Sequence, residues 1–388
     1  METIAVIFGG RSAEHDISII TALASIIKPL ELTGKYRVEP VYIAKDGAWY
    51  WDIQLKDIQM YTSGKIQKFI AHKHPVSICF DGGMTLVKNG AFGHQQRRKI
   101  DIVFPSMHGT YGEDGDLMGL IEMAGVPYIG CDVSASAIAM NKVLSKQVAS
   151  ANGILVSDYL TYSADSLNDE LIPNVLNIEK KLKYPLFVKP AHLGSSIGIS
   201  RATNSEELTN GLEVAAHYDD IVLVEEEIQN LVEVTLPIMG NEQPIPALLE
   251  QPLLKADDFF DFDTKYMQGG KKGEPANGTK GSQGYSKIPA NLPKKLYAKA
   301  QQVGLTVYQA LGCSGIARID MLIDKKTGKV YFNEVNPLPG SLYSHNWRRA
   351  GVSNVELVEK LVGFGKEKFA KRRKLTTTFD TNFLQQFQ

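Results

Sequence analysis

The stretch Ile316-Ala-Arg-Ile-Asp-Met-Leu-Ile-Asp-Lys-Lys-Thr-Gly-Lys-Val-Tyr-Phe-Asn-Glu-Val-Asn336 reads as two strands joined by a turn. Side chains at i and i+2 of a strand share a face. Arg318 and Asp320 therefore point the same way, and so do Glu334 and Asn336. A turn over Asp324 to Gly328, centred near Lys326 and Thr327, sets Asp320 nearly opposite Asn333 and Glu334. One face then gathers an arginine, two carboxylates and an amide. Oxygen ligands of this kind suit Mg²⁺, which keeps several waters and binds substrate phosphates. Arginine suits a phosphoryl group in transfer. The competing reading is a solvated strand face laced with cross-strand ion pairs. The apolar flanks and the Pro337-Leu-Pro-Gly340 turn favour a site.

Three other stretches carry chemistry. Phe187-Val-Lys189-Pro-Ala-His-Leu-Gly194-Ser-Ser-Ile-Gly198 places a lysine at the end of a buried strand beside a Gly/Ser tip. Such a tip offers backbone N–H and hydroxyl donors to phosphate, with Ser195 and Ser196 at its apex. It is not the Walker pattern, which occurs nowhere in the chain, and a glycine-rich hairpin taken alone is more often just a turn. His108-Gly-Thr-Tyr-Gly-Glu-Asp-Gly115 lies between a strand and a helix, at the sheet edge where α/β proteins bind ligands. Glu113, Asp114 and Asp116 are explained as helix-dipole partners, whereas His108 is the functional candidate. Gly9-Gly-Arg-Ser-Ala-Glu14-His-Asp16 follows the first strand without a GxGxxG fingerprint. Glu14 either caps the next helix or binds an ammonium group.

Around these stretches the chain reads as α/β. A buried strand, Ile4 to Phe8, precedes a helix from about Ile17 to Lys28 that stops at Pro29, then a strand from Val38 to Ala44. Residues 45–100 are read as hairpins or an embellishment of the first domain, with a basic cluster at 95–99. Ile100 to Phe104 is another strand. Asp116 is expected to cap a helix ending near Gly125, and Val126 to Gly130 leaves it as a strand-like exit. An alanine-rich helical pattern fills 131–150, and residues 163–182 are read as polar surface connections. The two runs flanking the Gly/Ser tip, Pro185 to Pro190 and Ile197 to Ser200, are expected strands. A helix over Ser205 to His217, a strand over Ile221 to Glu225 and a helix over Pro293 to Leu311 follow. Residues 269–284 read as a mobile loop and 375–388 as a loose polar tail.

At 388 residues the chain has room for two or three domains of roughly 100–200 residues each. Apolar residues at 44% and charged residues at 22% exclude a mostly disordered chain. Lys and Arg number 42 against 43 Asp and Glu, a net charge of −1, which argues against wholesale attraction to nucleic acid or an anionic membrane. Cys79, Cys131 and Cys313 are too scattered for a disulfide framework or a cysteine zinc site. No run approaches the ~18–20 apolar residues of a membrane helix. The start METIAVIFGG lacks a signal peptide's basic opening and long apolar core, so a reducing cytoplasm is the expected setting.

Taken together, FGGRSAEHDIS, HGTYGEDGDLMGLIEMAGVPYIGC, ASAIAMNK, FVKPAHLGSSIGIS, FDFDTKY, ARIDM and NEVNPLPG resemble the D-alanine–D-alanine ligases of the ATP-grasp superfamily, in family order. The resemblance implies an N-terminal open parallel α/β domain (1–130) followed by two ATP-grasp subdomains (131–220 and 221–374) and the tail. It implies an ADP-forming ligase that phosphorylates one amino acid's carboxylate and lets a second amino acid's amine attack the acyl phosphate, for peptidoglycan precursors. By resemblance Asp320, Glu334 and Asn336 hold two Mg²⁺ ions, with Mn²⁺ as an alternative. Arg318 meets the transferred phosphate, Lys142, Lys189 and Ser196 the ATP phosphates, and Lys265 the γ-phosphate. Glu14 pairs with the first ammonium, with His108 nearby and Ser195 and Tyr266 closing the network. Val224 to Ile228 (Glu225, Glu226, Glu227, Ile228) and Glu233 meet adenine and ribose. A solvated linker is the competing reading for the three consecutive glutamates. The implied partners are small amino acids and, as commonly in the family, a second copy of the chain.

Several positions depart from the family pattern. Pro337 stands where the family has threonine. His345, next to Ser344 and five residues after Gly340, replaces the serine that binds the second substrate's carboxylate, and Asn346 replaces an apolar neighbour. A more polar second-substrate pocket is expected, which leaves open an acceptor other than D-alanine, either another amino acid or a hydroxy acid. The 267–284 loop is longer than the family's closing loop. A catalytically silent ATP-binding protein is the alternative from another class, and the intact Arg318, Asp320, Glu334 and Asn336 set argues against it.

Overall fold

A computed structural model of the protein describes residues 1–89, 94–253 and 286–387. Lys265, Tyr266 and the loop expected at 267–284 lie outside the described residues.

The first sheet forms because Ile4, Ala5, Val6, Ile7 and Phe8 are all completely buried, as a strand covered on both faces requires. This strand, β1 (Glu2–Gly9), runs parallel to β2 (Tyr36–Ile43), which pairs antiparallel with the edge strand β3 (Trp49–Trp51). The connecting residues form a three-stranded antiparallel sheet, β4 (Ser77–Cys79), β5 (Met84–Asn89) and β6 (Gln95–Ile100). The basic cluster at 95–99 is thus the outer strand of a hairpin. β7 (Ile102–Pro105) completes the first sheet on the other side of β1.

The helix after β1 does not stop at Pro29. His15–Ile20, Thr21–Ile27 and Lys28–Leu32 form one continuous helical run. The middle segment is widened, and the Lys28 N–H reaches back five residues to Leu23 O. That wider turn relieves the clash that a proline ring makes with the carbonyl four residues earlier. Gly115, at φ 100, is the N-cap of the helix Asp116–Met123, so Asp116 sits in the first turn rather than at the cap. Gly125, at φ 68, ends that helix as expected.

The second sheet has the order β10-β9-β11-β8, all antiparallel. Its strands are β8 (Tyr159–Ser163), β9 (Leu186–Pro190), β10 (Ser200–Ala202) and β11 (Ile221–Glu226). The strand after the Gly/Ser tip therefore starts at Ser200, not Ile197. Because β11 lies inside this sheet, the expected boundary at 220/221 cuts through it. Residues 163–182 are two helices, Ala164–Asp169 and Leu171–Lys181, rather than surface connections. Leu171, Val175, Ile178 and Leu182 lie three or four residues apart and pack one face onto the core beneath the sheet.

The third sheet has the order β13-β12-β16-β17. It combines β12 (Leu231–Gly240) and β13 (Ile245–Pro246) with the hairpin strands β16 (Gly315–Asp324) and β17 (Lys329–Asn336). A short pair, β14 (Gln251–Pro252) with β15 (Ser286–Lys287), lies beside it. Helix Lys294–Ala310 covers the face made by Val234, Leu236, Ala317, Ile319 and Met321. Cys131, Ala135, Ala139 and Ala149 share that core, so residues 131–156 pack mainly with the third sheet, while Val143 packs against Ala191 and Leu223 of the second. The last helix, Asn354–Arg372, returns Leu357, Val358, Leu361 and Val362 to the core beneath β1. The tail is exposed, with a short turn at Phe383–Phe387.

Gly315 opens β16 at φ +69, and a Cβ there would come within 2.8 Å of the Gly130 backbone nitrogen. Gly315→Ala is expected to destabilise the protein by about 1–3 kcal/mol. A urea unfolding midpoint equal to that of the parent would contradict this.

Candidate active site

The hairpin register sets Arg318 against Asn336 and Asp320 against Glu334. A bulge follows: Asp320 pairs Glu334 while Met321 already pairs Phe332. Asn333 is the extra residue, so Glu334 rather than Asn333 faces Asp320. β12 adds Thr235 opposite Asp320 and Glu233 opposite Leu322, on the same face. The alternate residues Ala317, Ile319 and Met321 are buried under the helix, which fixes the polar set toward the cleft.

Arg318 grips Asp320 with both prongs, Nε to Oδ1 at 2.7 Å and Nη2 to Oδ2 at 2.6 Å. The guanidinium also lies 5.3 Å over the Tyr343 ring. Asp320, Glu334 and Asn336 together offer two carboxylates and an amide oxygen, a donor set that fits a hard divalent cation.

The second sheet and the helix Lys142–Ala151 beside it contribute buried lysines. Lys142 opens the helix Lys142–Ala151 and Lys146 lies one turn on, while Lys189 ends β9. Glu225 on β11 is their counter-charge. Lys146 Nζ lies 2.8 Å from Oε2, Lys189 pairs with Oε1, and the Ser157 hydroxyl donates to the same carboxylate. Lys142 Nζ donates to Leu193 O and stands 4.0 Å from Glu334 across the cleft. Burial pushes the Lys142 and Lys146 ammonium groups down. Burial opposes Lys189 too, but Glu225 holds it up. Burial would raise the Glu225 carboxyl, yet the two lysines hold it well below the usual carboxylate range.

Glu225 is therefore an internal anchor for lysines, and its oxygens are taken. Its neighbours turn elsewhere: Glu226 accepts from the Lys183 N–H at 2.8 Å, and Glu227 pairs with Arg201 at 2.7 Å. Ile228 is half-buried just beyond β11. Lys146 and Ser157 were not singled out from the sequence. Lys146 had a signal, being four residues after Lys142 on one helical face; Ser157 had none.

The first domain closes the third side. The Ser195 hydroxyl donates to Glu14 across 181 residues of chain. Ser195 and Ser196 adopt left-handed backbone at φ 54 and 61, which tightens the tip beside Glu14. His108 is fully buried, with Nε2 3.0 Å from Thr21 Oγ1 and Nδ1 3.7 Å from Glu113. Burial opposes its imidazolium, but Glu113 holds it up. Thr21 Oγ1 also accepts from the Ser341 N–H at 2.9 Å. His108 thus sits in a joint between the first domain and the turn after Gly340.

Ser341, Leu342 and Tyr343 are all left-handed, at φ 52, 52 and 51. Ser344 and His345 open the helix that follows. His345 Nε2 lies 2.9 Å from Glu250, and its ring stands 4.7 Å from that of Tyr343. Asn346 corrects the expectation of polarity facing a pocket. It is fully buried, donates to Leu248 O and Glu250, and accepts from the Leu248 N–H at 3.1 Å. Its amide binds a strand edge, and Glu250, which the sequence did not flag, joins it to His345.

Two antiparallel sheets that set buried lysines against a carboxylate face define an ATP-grasp enzyme of the carboxylate–amine ligase class. The models described as D-ala D-ala ligase N-terminus and C-terminus match residues 3–131 and 148–363. The chain belongs to the D-alanine–D-alanine ligase family. It is 37% identical over 382 residues to the D-alanine–D-alanine ligase of Acetivibrio thermocellus, covering 94% of this chain and 96% of that one. Among solved structures it resembles the D-alanine–D-alanine ligase of Coxiella burnetii (TM-score 0.78, 27% identity, 96% of each chain). It also resembles the VanG D-Ala:D-Ser ligase of Enterococcus faecalis (TM-score 0.77, 30% identity, 94% of this chain and 99% of that one). Among the described residues no helix is long and apolar enough to cross a membrane.

Glu225→Gln is expected to destabilise the protein by about 3–5 kcal/mol, because Lys146 and Lys189 stay buried without a counter-charge. The folded carboxyl is depressed, so its stabilisation is fully present above the ordinary value of 4.5 and lost as pH falls below it. Urea midpoints measured against pH should show that acid loss in the parent and a flatter profile in the variant.

Proposed function

We propose that the protein joins two D-alanine molecules with conversion of ATP to ADP and phosphate, as a cytoplasmic step toward peptidoglycan precursors. The observation that carries this reading is the meeting of Lys142, on the helix that touches both sheets, with Glu334 of β17, which sets phosphate-gripping lysines beside an oxygen-donor face. A carboxylate is a poor electrophile, and phosphorylation gives it a leaving group. Phosphoryl transfer needs positioning and charge stabilisation more than covalent help from the protein. In this reading Lys142 and Lys189 hold the ATP phosphates with the Ser195–Ser196 tip over them, and Glu225 keeps Lys189 in place. The end of β11 and Glu233 meet the adenosine. Glu14 orients the first amino acid by its ammonium, and Arg318 meets the phosphoryl group. Asp320, Glu334 and Asn336 would hold Mg²⁺, whose bound charge neutralises phosphate oxygens. Lys265 and Tyr266 retain the roles the resemblance gives them, and the protein acts as a homodimer.

The second amino acid then attacks the acyl phosphate carbonyl, the peptide bond forms and phosphate leaves. Gly340, Ser344 and His345 line its site in this reading. A D-serine acceptor is the second reading. It is favoured by His345, which with Glu250 places a polar pair where the family has serine, and by the likeness to VanG, itself a D-Ala:D-Ser ligase.

Phosphate release measured with ATP, Mg²⁺ and pairs of amino acids separates these readings. The highest kcat/KM for two D-alanines is expected. A higher value with D-serine as acceptor would replace the leading reading by the second, and no turnover with any pair would remove both. Glu334→Gln is expected to lower turnover by on the order of 10²-fold or more while the unfolding midpoint stays near that of the parent.

A further inference from the structure

Two adjoining residues of one element are stitched to a loop of another by three contacts. The Lys142 N–H donates to Ala191 O at 3.0 Å, and Lys142 Nζ donates to Leu193 O. Between them, Asn141 Nδ2 lies 2.9 Å from His192 Nε2. The stitched loop leads directly into Ser195 and Ser196, and Asn141 caps the helix that Lys142 opens.

The polarity of the middle contact is fixed from both ends. Asn141 Oδ1 accepts from the Val143 and Leu144 N–H groups at 3.0 and 2.9 Å, so the atom turned to His192 is the N–H donor. On the far side, His192 Nδ1 lies 2.9 Å from Asp219 Oδ1. An ionised carboxylate only accepts, so Nδ1 carries the proton. Nε2 must then present its lone pair to Asn141, which makes His192 neutral in this arrangement. A second proton would put an N–H on Nε2 facing the N–H of Asn141, and two donors form no hydrogen bond. Asn141 cannot turn over to compensate without giving up both cap bonds of its helix.

We propose that His192 is a positioning residue whose neutral form ties the helix of Lys142 to the Ser195–Ser196 loop and whose protonated form releases that tie. The inference rests on the reading of Lys142 and this loop as ligands of the nucleotide phosphates. The groups facing His192 set where it titrates. Hydrogen bonding to Asp219 raises it above 6.5, burial and Lys142 oppose, and the exposed Asp220, 3.8 Å away, adds to the rise. Burial would raise Asp219, but the His192 ring, the His192 N–H at 2.6 Å and the Ile221 N–H at 3.1 Å hold it down to about 2, so it stays ionised. The titration of His192 is therefore raised above that of an ordinary imidazole. Nucleotide should bind tightly above the His192 pKa and more weakly below it.

The test uses the full chain with ADP and Mg²⁺. Calorimetry is expected to give a dissociation constant roughly 3- to 10-fold weaker at about pH 6 than at about pH 8, the effect of one hydrogen bond. In His192→Gln the ratio of the two constants should fall to about one. In Asn141→Asp the carboxylate still caps the helix but accepts from a protonated Nε2, so the weakening at low pH should vanish or reverse. Nitrogen-15 spectra of the histidine rings should show His192 with Nδ1 protonated and Nε2 bare at about pH 8. A ring protonated on Nε2 at that pH, a parent dissociation constant indifferent to pH, or an unchanged ratio in His192→Gln would each overturn the proposal. Lys142→Ala without effect on ADP binding would instead fault the phosphate-site reading, and the ring spectra would still decide the tautomer.

Discussion

The cleft depends on keeping opposite charges apart until substrate arrives. Buried charges are costly unless paired, yet a site whose cations and carboxylates neutralise one another has nothing left to offer a ligand. The structure resolves this by pairing charges with close neighbours. Lys146 and Lys189 share Glu225, which comes from the same sheet as Lys189. Arg318 is held by Asp320, two residues away on the same strand. Two lysines thus share one carboxylate on the side of the second sheet, and Glu334 lies beside the Asp320 pair on the third. The nearest approach across the gap, Lys142 to Glu334, is 4.0 Å. In the proposed reading, phosphates held by the lysines and a cation held by the carboxylates would complete this charge pattern.

That arrangement needs the three parts of the chain to hold a common register. Two of the first domain's fastenings lie at the cleft. Glu14 meets Ser195 of the second sheet's loop, and Thr21, hydrogen-bonded with His108, accepts from the Ser341 backbone. The widened helical segment Thr21–Ile27 supplies that threonine and carries the chain past Pro29 into the core. The last helix then packs under β1, so the strand that begins the chain and the helix near its end share one core. A single substitution at such a joint acts on geometry at the cleft as well as on stability.

Much of this was legible because strand side chains repeat every two residues. The face of Arg318, Asp320, Glu334 and Asn336 follows from that period and from the turn at Asp324 to Gly328. The bulge at Asn333 does not, since an extra residue leaves no mark on composition. The segment at 344–346 was legible in identity and not in orientation: His345 and Asn346 look alike in sequence, yet one packs beside Tyr343 and the other binds the backbone at Leu248. Glu225, Glu226 and Glu227 read as one stretch meeting adenine and ribose, with a solvated linker as the competing reading, and neither singles out the first, which the pleat turns inward to the lysines. The helices at 164–181 were hidden by polar residues on their outer faces, and their apolar spacing emerges only once an inner face is sought.

The placement of variable and fixed chemistry follows from the same geometry. In the proposed reading, the lysines and arginine that meet phosphate lie on strands or a helix start, where sheet pairing and the N-cap leave few conformations. Residues that face the acceptor in the proposed reading lie on a turn with three successive left-handed residues and on the six-residue helix after it. Glu250, which pairs with His345 there, belongs to a short segment joined to β12 by backbone bonds to Thr235. A change of side chain at 345 or 250 leaves the register of Arg318, Asp320 and Glu334 untouched. Acceptor choice is therefore separable from phosphoryl transfer, and one cleft can keep its chemistry while its second amino acid changes.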